Sequence, residues 1–344
     1  MKIIINGRFY SQKLTGVQRY AGELVAQLDL LYDGMDVEIA LPPDAEMPAL
    51  KHIGVVRLGK HTGVVWEQTD FLRYVRKQKA VSLNLCNSAP LYGRKIVCIH
   101  DVKIKAYPEF FSRKFRMWYH ILFRNITRKA LALITVSDFS KEELVKYYRC
   151  DPQKINVIYN AWQHYAQIPV SEEHTASFGL QKGKYAFSLG SLEPNKNLPW
   201  ILQTAKNNPD IVFAVGGGIN SKVFAQDNIE LPGNVRLLGY LSDIAAKSLM
   251  RDCGYFLFPS FYEGFGIPPM EAMVAGAPNI VVSDIPVMHE IFGGSVSYID
   301  PKRYDYRLAD IAAPSQKYDC VLERFSWKRS AQKLLDLLQR MVGI

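Results

Sequence analysis

A chain of 344 residues with 48% hydrophobic content is long enough for two ordinary domains, and its five cysteines, odd in number and without CxxC spacing, argue against a disulfide framework or a zinc site. The formal net charge of +9 is uneven: residues 1–165 hold 25 Lys+Arg against 15 Asp+Glu, and residues 166–344 hold 17 against 18, so the basic first half suggests an anionic partner such as a membrane surface, a lipid pyrophosphate or a nucleic acid. No 18-residue apolar run and no signal peptide is present, which predicts a cytoplasmic protein, and nothing matches a nucleic-acid-binding signature.

Lys2 to Ile5 predicts a first buried strand, followed by Asn6-Gly7-Arg8 and a loop, Thr15-Gly16-Val17-Gln18-Arg19-Tyr20. Val17, Tyr20, Ala21, Leu24, Val25 and Leu28 recur at helical spacing up to Leu31, so this loop feeds a helix N-terminus, where unpaired N–H groups favour anions. Val37–Leu41 and Gly54–Leu58 read as strands, Trp66 to Lys79 as a helix with a basic face, and Val81–Leu85 and Lys95–Ile99 as two more strands, the last ending in His100-Asp101. Short apolar runs alternating with amphipathic stretches mark a doubly wound parallel sheet, in which ligands gather at the carboxyl ends of strands. His100 stands at such an end, where a histidine either donates to a sugar hydroxyl or phosphate or satisfies a buried backbone carbonyl.

From Phe110 to Lys129, Arg113, Lys114, Arg116, Arg124, Arg128 and Lys129 interleave with aromatic residues. That mixture suits a membrane interface or an anionic acceptor, and equally an ordinary amphipathic helix. Leu131–Val136 is a further strand, with Ser137 or Ser140 expected to cap the next helix and Glu142 and Glu143 in its first turn; Ile155–Tyr159 closes the first half. The polar stretch Gln167 to Gly183 reads as a linker.

The pattern then restarts. Tyr185–Leu189 is a strand, followed by the loop Gly190-Ser191-Leu192-Glu193-Pro194-Asn195-Lys196-Asn197 and a helix through Ala205; Ile211–Val215 and Val235–Leu238 are strands ending in glycines, the second in Gly239-Tyr240. Tyr255–Phe258 is a buried strand ending at Pro259, and Pro268 and Pro269 mark the first turn of a helix. In the loop between them, Gly264 and Gly266 let backbone approach a ligand, and the helix N-terminus suits a phosphate. Glu263 lies on that loop and Glu271 is expected in the first helical turn; both can accept hydrogen bonds from vicinal hydroxyls of a sugar nucleotide. Asn279–Val282 is a later strand, and Ala331, Leu334, Leu335 and Leu338 recur along a terminal helix.

The spacing from Glu263 to Glu271, with Gly-Phe-Gly between and Glu-Ala-Met after, resembles the E-x7-E motif of glycosyltransferase family 4. The resemblance implies an α/β GT-B fold of two Rossmann-like doubly wound parallel-sheet domains facing a cleft. Its domains would be 1–166 for the acceptor and 167–326 for the sugar nucleotide, with helix 327–344 crossing back to the first. It implies a retaining, metal-independent transferase without a cofactor. Such an enzyme moves a mannose-like hexose or deoxyhexose from a nucleotide-diphosphate sugar to a saccharide or lipid-linked saccharide in cell-surface polysaccharide synthesis.

By the same resemblance, Glu263 holds donor-sugar hydroxyls and Glu271 the ribose; His100 contacts the sugar, and Asp101 orients His100 or acts on the acceptor hydroxyl. Gly190, Lys196, Gly264, Phe265, Gly266 and Ile267 surround the donor, and Tyr240 adjoins the nucleobase segment. Gly16, with Val17, Arg19 and Arg8, forms the acceptor and phosphate loop. The chain departs from the family pattern at the diphosphate arginine: Ser191 and Asn195 occupy its places, leaving Lys196, helix dipoles and Arg8 or Arg19 to offset the charge. No D-x-D triplet occurs, and Ala161 stands where relatives carry glycine. The missing arginine keeps open a non-catalytic sugar-nucleotide-binding partner subunit, whereas a GT-B-like epimerase would need an acid/base pair that cannot be placed. The basic first half suits peripheral contact with an anionic membrane on its inner face.

Overall fold

Aliphatic runs in the first half form seven strands: β1 (Ile3–Asn6), β2 (Val37–Leu41), β3 (Gly54–Arg57), β4 (Val81–Asn84), β5 (Lys95–Cys98), β6 (Ala132–Thr135) and β7 (Ile155–Val157). They pair in parallel throughout, in the order β3-β2-β1-β4-β5-β6-β7. Every residue of β1, β4, β5 and β6 is buried, because helices cover both faces of a parallel sheet; the sequence therefore shows continuous apolar runs instead of alternation. Lys95 is the charged exception, and its ammonium donates to the carbonyls of Pro90 and Leu91 and to Asn125 Oδ1 at 2.6, 3.1 and 2.7 Å.

The computed structural model describes residues 1–32, 34–190, 193–218 and 231–343. It comprises two compact units, Met1–Ala161 with Phe325–Ile344, and Trp162–Arg324. The second unit repeats the plan with β8 (Tyr185–Leu189), β9 (Val212–Gly216), β10 (Val235–Gly239), β11 (Tyr255–Phe258), β12 (Ile280–Ser283) and β13 (Ser297–Ile299), parallel in the order β10-β9-β8-β11-β12-β13. Its core gathers Trp200, Ile201, Phe213, Leu257 and Val281. In each sheet the winding reverses direction once, between β1 and β4 and between β8 and β11, and at such a switch point the loops beyond the strand ends part to leave a crevice.

The terminal helix Trp327–Val342 packs in the first unit against the helix Gly16–Leu30, with Tyr20 and Trp327 edge to face at 6.0 Å. Ser330 Oγ donates to the Tyr159 carbonyl at 2.8 Å. Among the described residues no helix is long and apolar enough to cross a membrane.

Local details differ from the sequence reading. The stretch Trp66 to Lys79 is three pieces, an α-turn Gly63–Trp66, a π-turn Glu67–Phe71 and a helix Leu72–Lys77. Trp66 and Phe71 are both fully buried and stack at 5.2 Å; residues five apart diverge on an α-helix, and the wider π-turn brings them to one face. Ser137, not Ser140, caps the helix Asp138–Tyr148, so Asp138 is its first-turn acid. Glu143 lies further along and pairs with Lys146 at 2.9 Å. The stretch Gln167–Gly183 contains the helix Glu172–Ser177, whose Thr175 donates to Asp252 at 2.8 Å, and the unit boundary falls at Ala161 and Trp162.

Candidate active site

At the β8/β11 switch point, two loops are fastened together by asparagines. The chain leaves β8 through Gly190; Ser191 lies outside the described residues. The short turn Pro194–Lys196 ends at Asn197, a left-handed residue with φ +56°, a conformation asparagine tolerates better than most. Asn197 is fully buried and its amide donates to the carbonyls of Pro259 and Pro301 at 3.1 and 2.8 Å. Asn195, also buried, donates to the Tyr262 carbonyl at 3.4 Å and accepts from the Phe261 amide at 2.8 Å. Asn195 therefore holds the loop after β11 in place.

These ties aim Lys196. Its stem crosses Gly190, where a Cβ would stand 3.5 Å from Lys196 Cδ; its Nζ lies 4.8 Å from the centre of the Phe258 ring and 2.6 Å from Glu263 Oε1. The side chains of Lys196 and Glu263 are 21% and 15% exposed. Beside them is a cavity lined by Gly190, Val215, Phe258 and Ser260, and the Ser260 hydroxyl, although buried, meets no hydrogen-bond partner among the described residues. A half-open ion pair of this kind can exchange partners. The ammonium can turn to phosphate oxygens and the carboxylate to sugar hydroxyls.

The helix Ile267–Ala275 starts at Gly266, φ +104°, where a Cβ would meet Phe292 and Met288 at 3.1 and 3.2 Å, so any side chain there would be strained. Ile267 and Pro268 occupy the first two helical positions, and Glu271 is the fifth, beyond the first turn. Its carboxylate is buried and lies 3.6 Å from His164 Nε2, a contact brought about by packing of the helix Gln163–Ala166 on this one. Phe265 is 3% exposed, so its ring belongs to the core. Tyr240 follows left-handed Gly239 and is 79% exposed, a ring open to stacking.

In the first unit, His100 is buried and its Nε2 lies 2.8 Å from the Leu85 carbonyl, which sets Nε2–H as the donor and leaves Nδ1 as the acceptor nitrogen. Desolvation lowers its pKa, so the ring is neutral near pH 7. Asn87 Oδ1 accepts from the His100 amide at 2.7 Å, and Tyr20 meets the ring edge to face at 4.8 Å. Asp101 Oδ1 accepts from the Lys103 amide at 2.9 Å and so shapes the following turn. Gly16 is the first residue of its helix, Thr15 gives no side-chain cap, Cys86 Sγ reaches the Val17 carbonyl at 3.7 Å, and Arg19 lies in the first turn. Arg8 is drawn inward, donating to Ser88 Oγ at 2.9 Å and lying 3.7 Å from Glu67 Oε2.

Two functional candidates escaped the sequence reading. Glu67 sat inside what read as an amphipathic helix, and a π-turn has no signature that would point it inward. His164 stood in an unremarked stretch; only its place soon after the strand β7 hinted at a site.

Residues 14–162 match the family described as Glycosyltransferase Family 4, and residues 170–306 the family described as Glycosyl transferases group 1. The O-antigen chain mannosyltransferase RfbU of Salmonella typhimurium is 30% identical over 220 residues, covering 62% of this chain and 59% of that protein. The O-antigen chain mannosyltransferase B of Escherichia coli is 26% identical over 343 residues, covering 89% and 88%. Among solved structures, Anabaena Alr3699/HepE, determined with UDP and glucose, superposes with a TM-score of 0.72 over 99% of this chain and all of that one, at 18% identity. At that identity the likeness shows the fold, which is GT-B.

Proposed function

The chain belongs to the group 1 and family 4 glycosyltransferases, and from that premise we propose that it moves a mannose-like hexose from a nucleotide-diphosphate sugar to a saccharide acceptor, with retention and without a metal, in surface-polysaccharide assembly. The observation that carries this reading is the ion pair of Lys196 with Glu263 at the β8/β11 switch point, 2.6 Å apart and partly open to solvent. The named activities of the O-antigen mannosyltransferases that this chain resembles support the choice of sugar.

In this reading the bond from the sugar anomeric carbon to the diphosphate breaks towards an oxocarbenium-like state, and negative charge grows on the leaving group. Lys196 meets that charge together with the N-terminus of the helix Ile267–Ala275. Glu263, released from Lys196, accepts hydrogen bonds from donor-sugar hydroxyls, and Glu271 accepts from the ribose, oriented by His164. Tyr240 stacks on the base. The acceptor hydroxyl attacks the face from which the diphosphate departs, and a donor phosphate oxygen takes its proton.

A thermal-shift screen with GDP-, UDP- and dTDP-sugars tests the reading. A donor at about 100 times its dissociation constant should stabilise the protein by roughly 2.7 kcal/mol, a few degrees, and should fail to do so in Lys196→Ala. Folded protein that responds to none of these donors and transfers no sugar contradicts it.

The helix Arg113–Lys129 favours an anionic membrane surface beside the acceptor. Its solvent face sets exposed Met117 and Ile121 between exposed Arg113, Lys114, Arg124 and Arg128. Sedimentation with phosphatidylglycerol vesicles but not phosphatidylcholine vesicles, lost in an Arg124→Glu/Arg128→Glu double variant, is the expected result.

A further inference from the structure

We propose that Lys247 is a positioning residue of the donor site: its buried ammonium fixes the one-turn helix Gln163–Ala166 and through it holds His164 against Glu271, so that the carboxylate meets the hydroxyls of a ribose. The ribose as ligand rests on the glycosyltransferase reading. The coupling of Lys247 to His164 and Glu271 rests on packing alone.

The helix Asp243–Asp252 turns Ala245, Ala246, Leu249 and Met250 into the core, and Lys247 goes in with them, 7% exposed. Its Nζ donates to the carbonyls of Tyr165, Ala166 and Ile168 at 2.8, 3.1 and 2.6 Å, one acceptor for each of the N–H groups of an ammonium. The same Nζ lies 5.6 Å from the centre of the Tyr165 ring. These acceptors are all backbone, and they all belong to one segment.

A buried lysine is a costly way to pack a helix. Taking the ammonium out of water lowers its pKa, and the neighbours Ala246 and Met250 show that apolar side chains fit this face. What the ammonium supplies is specific to the segment that receives it. A single helical turn is not stable by itself, and Trp162 gives the helix Gln163–Ala166 no side-chain cap. Its last carbonyls have no partner further along the helix, and Lys247 satisfies them where water does not.

The turn so fixed carries His164, whose side chain is 5% exposed and whose Nε2 lies 3.6 Å from Glu271 Oε1. The helix Ile267–Ala275, which bears Glu271, packs on both the helix Asp243–Asp252 and the helix Gln163–Ala166. Lys247 closes the triangle by tying those two together, and the Tyr165 hydroxyl adds a contact to Met250 Sδ at 3.4 Å. His164 therefore cannot drift from Glu271 without breaking bonds to a buried cation. A carboxylate that reads two hydroxyls depends on distance and angle, so a displacement of about an ångström removes most of its discrimination.

The test reads ribose recognition as a ratio. GDP, UDP and dTDP, each beside the analogue that lacks the hydroxyls of its ribose ring, are titrated calorimetrically into the unmodified protein, Lys247→Met and Ser248→Ala. The unmodified protein should prefer the hydroxyl-bearing form of its nucleotide about tenfold, and Lys247→Met should lower that preference to about threefold or less while binding the analogue unchanged. Ser248→Ala removes the acceptor of the Ser171 amide, 2.9 Å away, from the same helix; it leaves the carbonyls capped and should keep the preference. Without any nucleotide, the ring NMR signal of His164, assigned by its loss in His164→Asn, should move in Lys247→Met and stay in Ser248→Ala. Lys247→Gln, which keeps an amide donor, replaces Lys247→Met if that variant does not fold. Failure of both to fold, or full preference with an unmoved His164 signal, overturns the proposal. An unmodified protein that binds no nucleotide contradicts the glycosyltransferase reading instead, and the His164 signal then decides the coupling.

Discussion

The two sheets share one winding plan, and each brings one basic and one acidic side chain to its switch point, but the pairs differ in burial. Lys196 and Glu263, 2.6 Å apart, are 21% and 15% exposed, while Arg8 and Glu67, 3.7 Å apart, are 11% and 1% exposed. A partly open pair can be re-partnered by an arriving anion at lower cost than a closed one; a buried pair with further donors cannot be separated without stranding a charge. The same winding plan therefore leaves one pair wetter than the other, because the loops set how much water reaches each. In the function proposed above, the open pair is the one suited to offset the charge of a diphosphate.

The largest effect should come from breaking the closed pair. Glu67→Ala leaves Arg8, Asn6 and Ser88 facing a void and should cost about 3–5 kcal/mol, a fall in melting temperature of roughly 10 °C, with Glu67→Gln much milder. A melting temperature unchanged in Glu67→Ala would dissolve the contrast. At the open pair the ordering reverses: Lys196→Ala should leave stability nearly unaltered and lower kcat by about a hundredfold, roughly 3 kcal/mol of transition-state stabilisation. Loss of folding in that variant, with activity per folded molecule intact, would mean the pair is a brace.

A smaller effect separates the donor carboxylates. His164→Asn removes the neighbour 3.6 Å from Glu271 and should weaken nucleotide binding several-fold, about 1 kcal/mol, with acceptor binding untouched. The smallest effect is a pH slope. His100 has a folded pKa below its ordinary 6.5, so the unfolded chain binds the extra proton first; its contribution to stability is complete above about 6.5 and is lost as pH falls through the lower folded value. Melting temperatures of the protein and of His100→Gln between pH 7.5 and about 5 should converge towards the acid end.

The paired Rossmann-like plan was legible because fully covered parallel strands leave continuous apolar runs, as Ile3–Asn6 and Tyr255–Phe258 do. The loop Pro259–Gly266 was legible because glycine and proline positions there answer to backbone geometry; Gly266 has a positive φ that only its own sequence position could announce. What could not be read was side-chain direction. Glu67 looks like a solvated charge until Trp66 and Phe71 force the π-turn that points it inward. Asn195, on the loop after β8, looks like a ligand contact in sequence, and its amide donates to the Tyr262 carbonyl. Arg8 looked available to a diphosphate, and the structure directs its guanidinium to Ser88 and Glu67.

The division of labour between the two pairs is tested most directly by isothermal titration of GDP, UDP and dTDP into the unmodified protein, Lys196→Ala and Arg8→Lys. One nucleoside diphosphate should bind, at least tenfold more weakly in Lys196→Ala, about 1.4 kcal/mol, and equally well in Arg8→Lys. Diphosphate affinity that falls with Arg8 and ignores Lys196 would contradict the account.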